Sequence, residues 1–581
     1  SSEATINAPE VTSEPVKNTD AINRSIPQQI DEDTSISEGK KENLKKVFQT
    51  DLDKRRKFSQ EIFDTLDQDT KEKFIEARDG KTDEQGNTVS EPSLKEQFRV
   101  LRDAYTDTAK SNDARAAAAA ATLELAESLS VSDKDTKTLT EAAENSGSEN
   151  LKTQTQEYIN TLKNRENALT DAGLKQNIQD AADFYIKQAG GINAVLKELS
   201  AEQQQTSPTK NAQEGVSSES ATKPLKQKNK PNLNTLLFAL SQASDKDIST
   251  DEVNDILDTT EKIANGSENA NFSQRDKDIA AIINTRLSAV KQVIDNLGIQ
   301  HGTRNLDTVM SNFYSLADTE KPAKGADKEN TGKSLFQLMK DLERDYALNN
   351  ADGVAKTLRN LARLTAAEVN KAHSLIENGI KPSFSNKNRR KKNEFRYTSI
   401  NPNNEQVTSF SRFYIPGYIN SQTYGRRVVK QAALGLSILD GYHSIPGLVD
   451  LAKQSDIPFY DKNTKLDTSK DTEFLEDRLL QGLRTKLDFS PKVLKELGLK
   501  SAPKTTFSFN EKYKKASNPS NSDTNTATGT STNTDGNSAS TDSSPNVDTD
   551  NTNVNSDTSS DDADLAPWEE ASSSETDVSS N

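Results

Sequence analysis

Residues 334–379 read SLFQLMKDLERDYALNNADGVAKTLRNLARLTAAEVNKAHSLIENG. Leu335, Leu338, Met339, Leu342 and Tyr346 recur at helical spacing, and Leu358, Leu361 and Leu364 do the same, with Val369 and Leu375 three turns beyond Leu358 and Leu364. On an α-helix that spacing puts the apolar side chains on one stripe. Asp352-Gly353 is a turn signal between the two stripes, and Gly379 is a stop. The stretch predicts a helical hairpin that turns at Asp352-Gly353 and buries its stripes against further helices.

The same period continues toward the N-terminus. Leu306, Val309, Met310, Phe313 and Leu316 form one stripe, and Ile279, Ile282, Ile283, Leu287, Val290, Ile294 and Leu297 form another that ends at Gly298. Ser249 and Glu252 have the spacing of a capping box, Val253, Ile256, Leu257 and Ile263 follow, and Asn265-Gly266 closes that helix. With Leu233, Leu236, Leu237 and Leu240, these signals make residues 232–380 an antiparallel helical bundle.

Residues 201–231 contain few apolar side chains and read as a linker. Before it, residues 38–200 read as a helical domain. Its elements include one long helix from Pro92 to Ser130, with helices over Asn150–Thr170 and Leu174–Leu199 and a break at Gly190-Gly191. Ala116–Ala121 suit an alanine-rich spacer helix or, as the other reading, a small-residue face that a second helix can approach closely. Asp79-Gly80 and Gly86-Asn87 bracket a polar loop. Residues 1–37 are too poor in apolar side chains to offset chain entropy and are expected to be disordered.

Composition changes at Lys381. Residues 381–425 are basic, aromatic and aperiodic, with one or two short strands expected around Val407 and Phe410. Helices resume over 426–510, where Ser490-Pro491 opens one and Gly498 closes it. Residues 511–581 read as a disordered acidic tail, and no Lys or Arg follows Lys515. The fold class expected is therefore mainly α, with two or three helical-bundle domains, disordered ends and a short irregular, partly β, basic-aromatic segment.

The chain has 581 residues, of which only 31% are hydrophobic and 28% are charged, so an appreciable part is not expected to enter a core. A net charge of −16 opposes general nucleic-acid binding but permits a local basic patch. There is no cysteine, which removes disulfides, thiolate ligands and cysteine nucleophiles. The histidines, His301, His373 and His443, have no shared metal-ligand spacing. No run of 18 apolar residues is present. The sequence starts at Ser1, which is read as a processed or trimmed form. A virion-associated or secreted setting is favoured over the cytoplasm.

Motif chemistry is sparse. Gly332-Lys333-Ser334 resembles the end of a phosphate loop, but Asp327 stands where that loop needs glycine and no apolar strand precedes it, so it reads as a loop entering a helix. Asp79, Lys81 and Asp83 fail as a calcium loop because Glu84 occupies the turning position. There is no Gly-x-Ser-x-Gly elbow and no Gly-x-Gly-x-x-Gly. The many carboxylates on amphipathic helices read as solvated faces. No catalytic, cofactor or metal residue is assigned, and no cofactor is expected.

Two segments stand out as contact candidates. Lys387, Arg389, Arg390, Lys391, Lys392 and Arg396 form a basic run, followed by Arg412 and Tyr414 among other aromatics. Cations with stacking rings suit an acidic protein surface or single-stranded nucleic acid. Leu565, Pro567 and Trp568 form an apolar island in the acidic tail, in the manner of a short peptide ligand. The expected function is a non-enzymatic structural or interaction protein with protein partners, a homo-oligomer or larger assembly among them. The alternative is a nucleic-acid-binding protein whose acidic tail masks the 381–427 segment. An enzyme of unrecognised type is the third reading.

Overall fold

The computed structural model describes residues 19–55, 58, 60–200, 231–266, 272–296, 302, 304–310, 334–378, 395–400, 406–411, 421–457 and 480–507. The chain is mainly α. In order, the first part comprises α1 (Thr19–Glu32), α2 (Glu38–Arg55), α3 (Gln60–Thr65), α4 (Gln68–Asp79), β1 (Lys81–Thr82), β2 (Thr88–Ser90), α5 (Leu94–Thr106), α6 (Asn112–Ser128), α7 (Asp133–Ser146), α8 (Glu149–Asn167), α9 (Ala172–Gln188) and α10 (Ile192–Ser200). The second part comprises α11 (Leu233–Gln242), α12 (Glu252–Ala264), α13 (Gln274–Asn296), α14 (Leu306–Met310), α15 (Leu335–Ala347), α16 (Ala351–Glu377), β3 (Phe395–Ile400), β4 (Gln406–Ser411), α17 (Ser421–His443), α18 (Pro446–Lys453) and α19 (Pro491–Leu497).

The helical hairpin of residues 334–379 forms as α15 and α16, which pack on each other. Ser334 caps α15 through a capping box with Gln337, which is the loop-into-helix role read for Gly332-Lys333-Ser334. The turn, however, lies at Leu348–Asn350, earlier than Asp352-Gly353. Asn349 takes a left-handed φ of 55°, and Asn350 caps α16 by accepting from the Gly353 backbone N–H at 3.1 Å. Asparagine tolerates both roles, so it displaces the turn from the glycine. Gly353 serves a different need: a Cβ there would stand 2.3 Å from Asp345 Oδ2.

Other expectations need correction. The single helix over Pro92–Ser130 is two, α5 and α6, because Ser111 caps α6 and the polar residues 107–111 turn the chain between them. Residues 19–37, read as disordered, contain α1, whose Ile26 and Ile30 are buried with Ile36. Three scattered isoleucines were too sparse to display a period. α7 was not anticipated; Ser132 and Asp135 form its capping box and Gly147 its left-handed cap. The polar loop after Gly80 holds a small antiparallel pair, β1 with β2. At Ser249 the hydroxyl and backbone N–H both donate to Glu252 Oε2, at 3.0 and 2.8 Å, so only the glutamate half of the box forms and α12 begins at Glu252. Asn265-Gly266 ends α12 as expected, and α19 lies between Ser490 and Gly498 as expected.

α6 is no spacer. Ala116–Ala121 and Leu123 are buried, and α3, α5, α9 and α11 pack around the helix. Alanines leave no bulk on any side, so four neighbours can approach one helix. Ala120 is 0% exposed. Ala120→Leu is expected to destabilise by about 1–3 kcal/mol through overpacking, read as a lower denaturant midpoint at unchanged slope.

Buried apolar side chains fall into two clusters. The larger draws on both sides of residues 201–230, from Ile62 through α6, α9, α13, α15 and α16 to α17 and Leu497. The smaller lies within α1, α2, α7 and α8, with Phe48, Tyr158 and Leu162 among its members. It is built from two chain segments, since α3 to α6 intervene between α2 and α7. β3 pairs antiparallel with β4, from Phe395 opposite Ser411 to Ile400 opposite Gln406, as the short-strand expectation for this segment required.

Candidate functional site

Of the residues singled out as a basic contact surface, Arg396 lies on β3, opposite Phe410 of β4. Lys387, Arg389, Arg390, Lys391, Lys392, Arg412 and Tyr414 lie outside the described residues, as do Leu565, Pro567 and Trp568. β3 and β4 stand in the chain between α16 and α17, and β3 contacts α16. α16 and α17 pack closely on each other: a Cβ on Gly435 of α17 would come within 2.6 Å of Thr365 Oγ1 on α16. Only glycine allows that approach. The basic-aromatic segment is therefore tethered at both ends to one tightly packed helix pair.

The described residues also hold a polar constellation that the sequence reading assigned to solvated faces. Arg286 of α13 is 1% exposed. Its Nε donates to Glu343 Oε2 at 2.6 Å and its Nη1 to Asp245 Oδ2 at 2.9 Å. Lys340 Nζ donates to Glu343 Oε1 at 3.0 Å and to the Leu240 carbonyl at 3.2 Å. The guanidinium lies over the Phe336 ring, 5.3 Å from its centroid. Two cations and two carboxylates thus meet between α11, α13 and α15, and their formal charges cancel.

Burial opposes the charge of every member. For Arg286 desolvation is the largest influence, yet Asp245 and Glu343 together push its pKa upward. For Lys340 desolvation prevails and pushes its pKa down, with Glu343 and Asp245 offsetting only part. Tyr442 of α17 completes the group. Its hydroxyl is buried with no hydrogen-bond partner, and burial pushes its pKa up, so it stays a phenol. The carboxylates at Glu343 and Asp245 are thus core groups, as are Glu124 and Glu127 on α6, and the solvated-face reading fails for them. The signal was present: Arg286 continues the Ile279, Ile282, Ile283 stripe at helical spacing, and Glu343 sits between Met339 and Tyr346 on the stripe of α15.

The other polar features do not converge on this cluster. His373 Nδ1 lies 2.8 Å from the Lys486 carbonyl, and its Nε2 is 3.1 Å from Glu377. His443 Nδ1 is buried without a partner, and desolvation pushes its pKa down to about 4, so it is neutral at neutral pH. His301 lies outside the described residues. Among the described residues no group of three or more His, Asp or Glu side chains is arranged to hold a metal ion, and no described helix is long and apolar enough to cross a membrane. Asp83 is used in its own loop, accepting from the Gln85 and Asn87 backbone N–H groups at 3.0 and 2.7 Å. Two shallow surface clefts lie on the smaller helical unit, one beside Lys45 and Lys46 and one beside Asp33 and Ser148, and no member of the ionic cluster lines either. Comparison with known proteins found no matching family model, no matching curated protein and no matching solved structure.

Proposed function

We propose that this chain is a non-enzymatic interaction protein that engages an acidic protein partner through the 381–427 segment. The observation that supports the reading is the anchoring of that segment: β3 and β4 stand between α16 and α17, two helices whose backbones approach as closely as Gly435 and Thr365 permit. A segment held at both ends by a rigid pair loses less entropy on binding than a free tail would. Its cations Lys387, Arg389, Arg390, Lys391, Lys392 and Arg396 suit carboxylates, and the overall charge of −16 makes so local a basic run a selective feature. The buried ionic cluster serves this reading as a scaffold element, its charges committed to one another.

The test is binding of the full chain to immobilised poly-glutamate and to single-stranded DNA over a salt series. Poly-glutamate should be retained and released as salt rises. Replacing Arg389, Arg390, Lys391 and Lys392 by Ala should weaken retention by about tenfold, as expected for the loss of several exposed ion pairs. DNA bound in preference to poly-glutamate would replace this reading with the nucleic-acid one. Binding to neither at low salt would overturn both.

A further inference from the structure

The helices α1, α2, α7 and α8 join the rest of the chain at three crossings. Beyond the turn of Ala168–Thr170 that continues α8, their close packings are with one another: α1 with α2 and α8, α2 with α7, and α7 with α8. The crossings are visible in the apolar side chains. Leu52, Val131 and Leu162 belong to the smaller cluster, whereas Ile62, Leu129 and Leu169 belong to the larger. The apolar core is therefore not continuous across the crossings. At the far end of the unit the hydrogen bonds are internal, from Ser148 to Asp33 and from Lys40 to the Asn145 carbonyl.

The three crossings lie side by side. Arg55, the last residue of α2, donates to the Ser130 carbonyl at 2.6 Å. The backbone N–H of Val131, the next residue, donates to Glu166 Oε1 at 2.6 Å, and Glu166 stands in the last turn of α8. The ends of α2 and α8 are thus each one hydrogen bond from residues 130–131, which link α6 to α7. Two side chains of the larger body meet the unit at this same end. Asn349, in the turn between α15 and α16, donates through Nδ2 to the Val131 carbonyl and to Glu166 Oε1. Gln454, just after α18, donates to Asp133 at the start of α7. These contacts are polar and gathered at one end. Relative motion is the ordinary expectation for an interface that is not large and apolar.

We infer that α1, α2, α7 and α8 form a hinged arm, which pivots on the seam of Arg55, Ser130, Val131 and Glu166 and is held at its resting angle by Asn349 and Gln454. Hinges are a few residues in loops and at element ends that absorb changes of backbone angle. The seam consists of such residues, and chain passages lined up on one seam turn together with small changes at each. The bonds from Arg55 to Ser130 and from Val131 to Glu166 join the crossings to one another, so they survive a swing. Those from Asn349 and Gln454 come from the larger body and resist it. Asn349 pays for that role with a left-handed φ of 55°, a conformation that needs support from its surroundings.

The chain has no cysteine, so cysteine pairs placed in the full chain carry unique spin labels. Asn150→Cys near the start of α8 and Lys492→Cys on α19, both at exposed positions, measure arm against body. Asn150 lies about 24 Å along α8 from Glu166, so a rotation of about 15° moves it by about 6 Å. Lys46→Cys with Asn150→Cys, again exposed, measures the arm alone. The arm-to-body distances should spread more widely than those within the arm. Asn349→Gly, which keeps the left-handed backbone and removes the side-chain bonds, combined with Gln454→Ala, should widen the arm-to-body spread by about 6 Å further and leave the within-arm distance unchanged. An arm-to-body distribution as narrow as the within-arm one, with and without the two substitutions, would overturn the hinge. So would equal broadening of both pairs, which would mean that the four helices come apart instead of swinging together.

Discussion

Arg286→Met is expected to lower the unfolding free energy by about 3–5 kcal/mol, the cost of leaving a buried ion pair with one partner missing. Methionine fills much of the space and retains contact with Phe336, so the loss isolates charge rather than volume. Asp245 and Glu343 would remain in the core with Lys340 alone to balance them. Urea denaturation of the variant should show the midpoint falling with little change in slope. A second variant separates charge from packing: Arg286→Met combined with Asp245→Asn and Glu343→Gln removes the stranded anions and should recover part of the stability. A destabilisation below about 1 kcal/mol in the single variant would mean that water reaches the cluster and that it is not a sealed core group.

Leu287→Ala is expected to cost about 2–5 kcal/mol, the range for emptying a buried leucine site whose surroundings relax only in part. Leu287 is 0% exposed and sits on α13, which packs against α11, α12, α15 and α17. Neighbours on four sides restrict collapse into the cavity, which favours the upper part of the range. The control is Ile75→Ala on α4, a residue 39% exposed, where the melt should barely move. Equal effects at the two positions would refute the placement of the core.

These two adjacent residues show how far the sequence could be read. Leu287 was legible because it continues an apolar period, and a period is a local property of one helix. Arg286 occupies a neighbouring position on the same helix and was passed over because charged residues usually face water. Helical spacing put Arg286 on the apolar stripe, but spacing alone does not say whether an arginine there is covered or reaches water. Its burial depends on Asp245 and Glu343, 41 and 57 residues away, and on Phe336 and Tyr442. The candidate contact segment behaves in the opposite way. Its composition marked it from the sequence, and the structure adds the β3–β4 register and the α16–α17 frame beside it.

The sequence by itself determined the helical class, the α15–α16 pair of helices and a few helix ends, because hydrophobic period, caps and Gly or Pro stops act within a few residues of one another. Ser490-Pro491 and Gly498 bounded α19 on those grounds alone. Tertiary structure decided which apolar faces meet. It put Ala117–Ala121 in the larger core and folded α1 onto the smaller cluster through Ile26 and Ile30. It also decided which charges are buried, since desolvating Arg286 is tolerable only where distant helices bring carboxylates within hydrogen-bond reach. The physical reason is the same in each case. A sequence states which side of a helix avoids water, whereas only packing supplies the surface or the counter-charge that covers it.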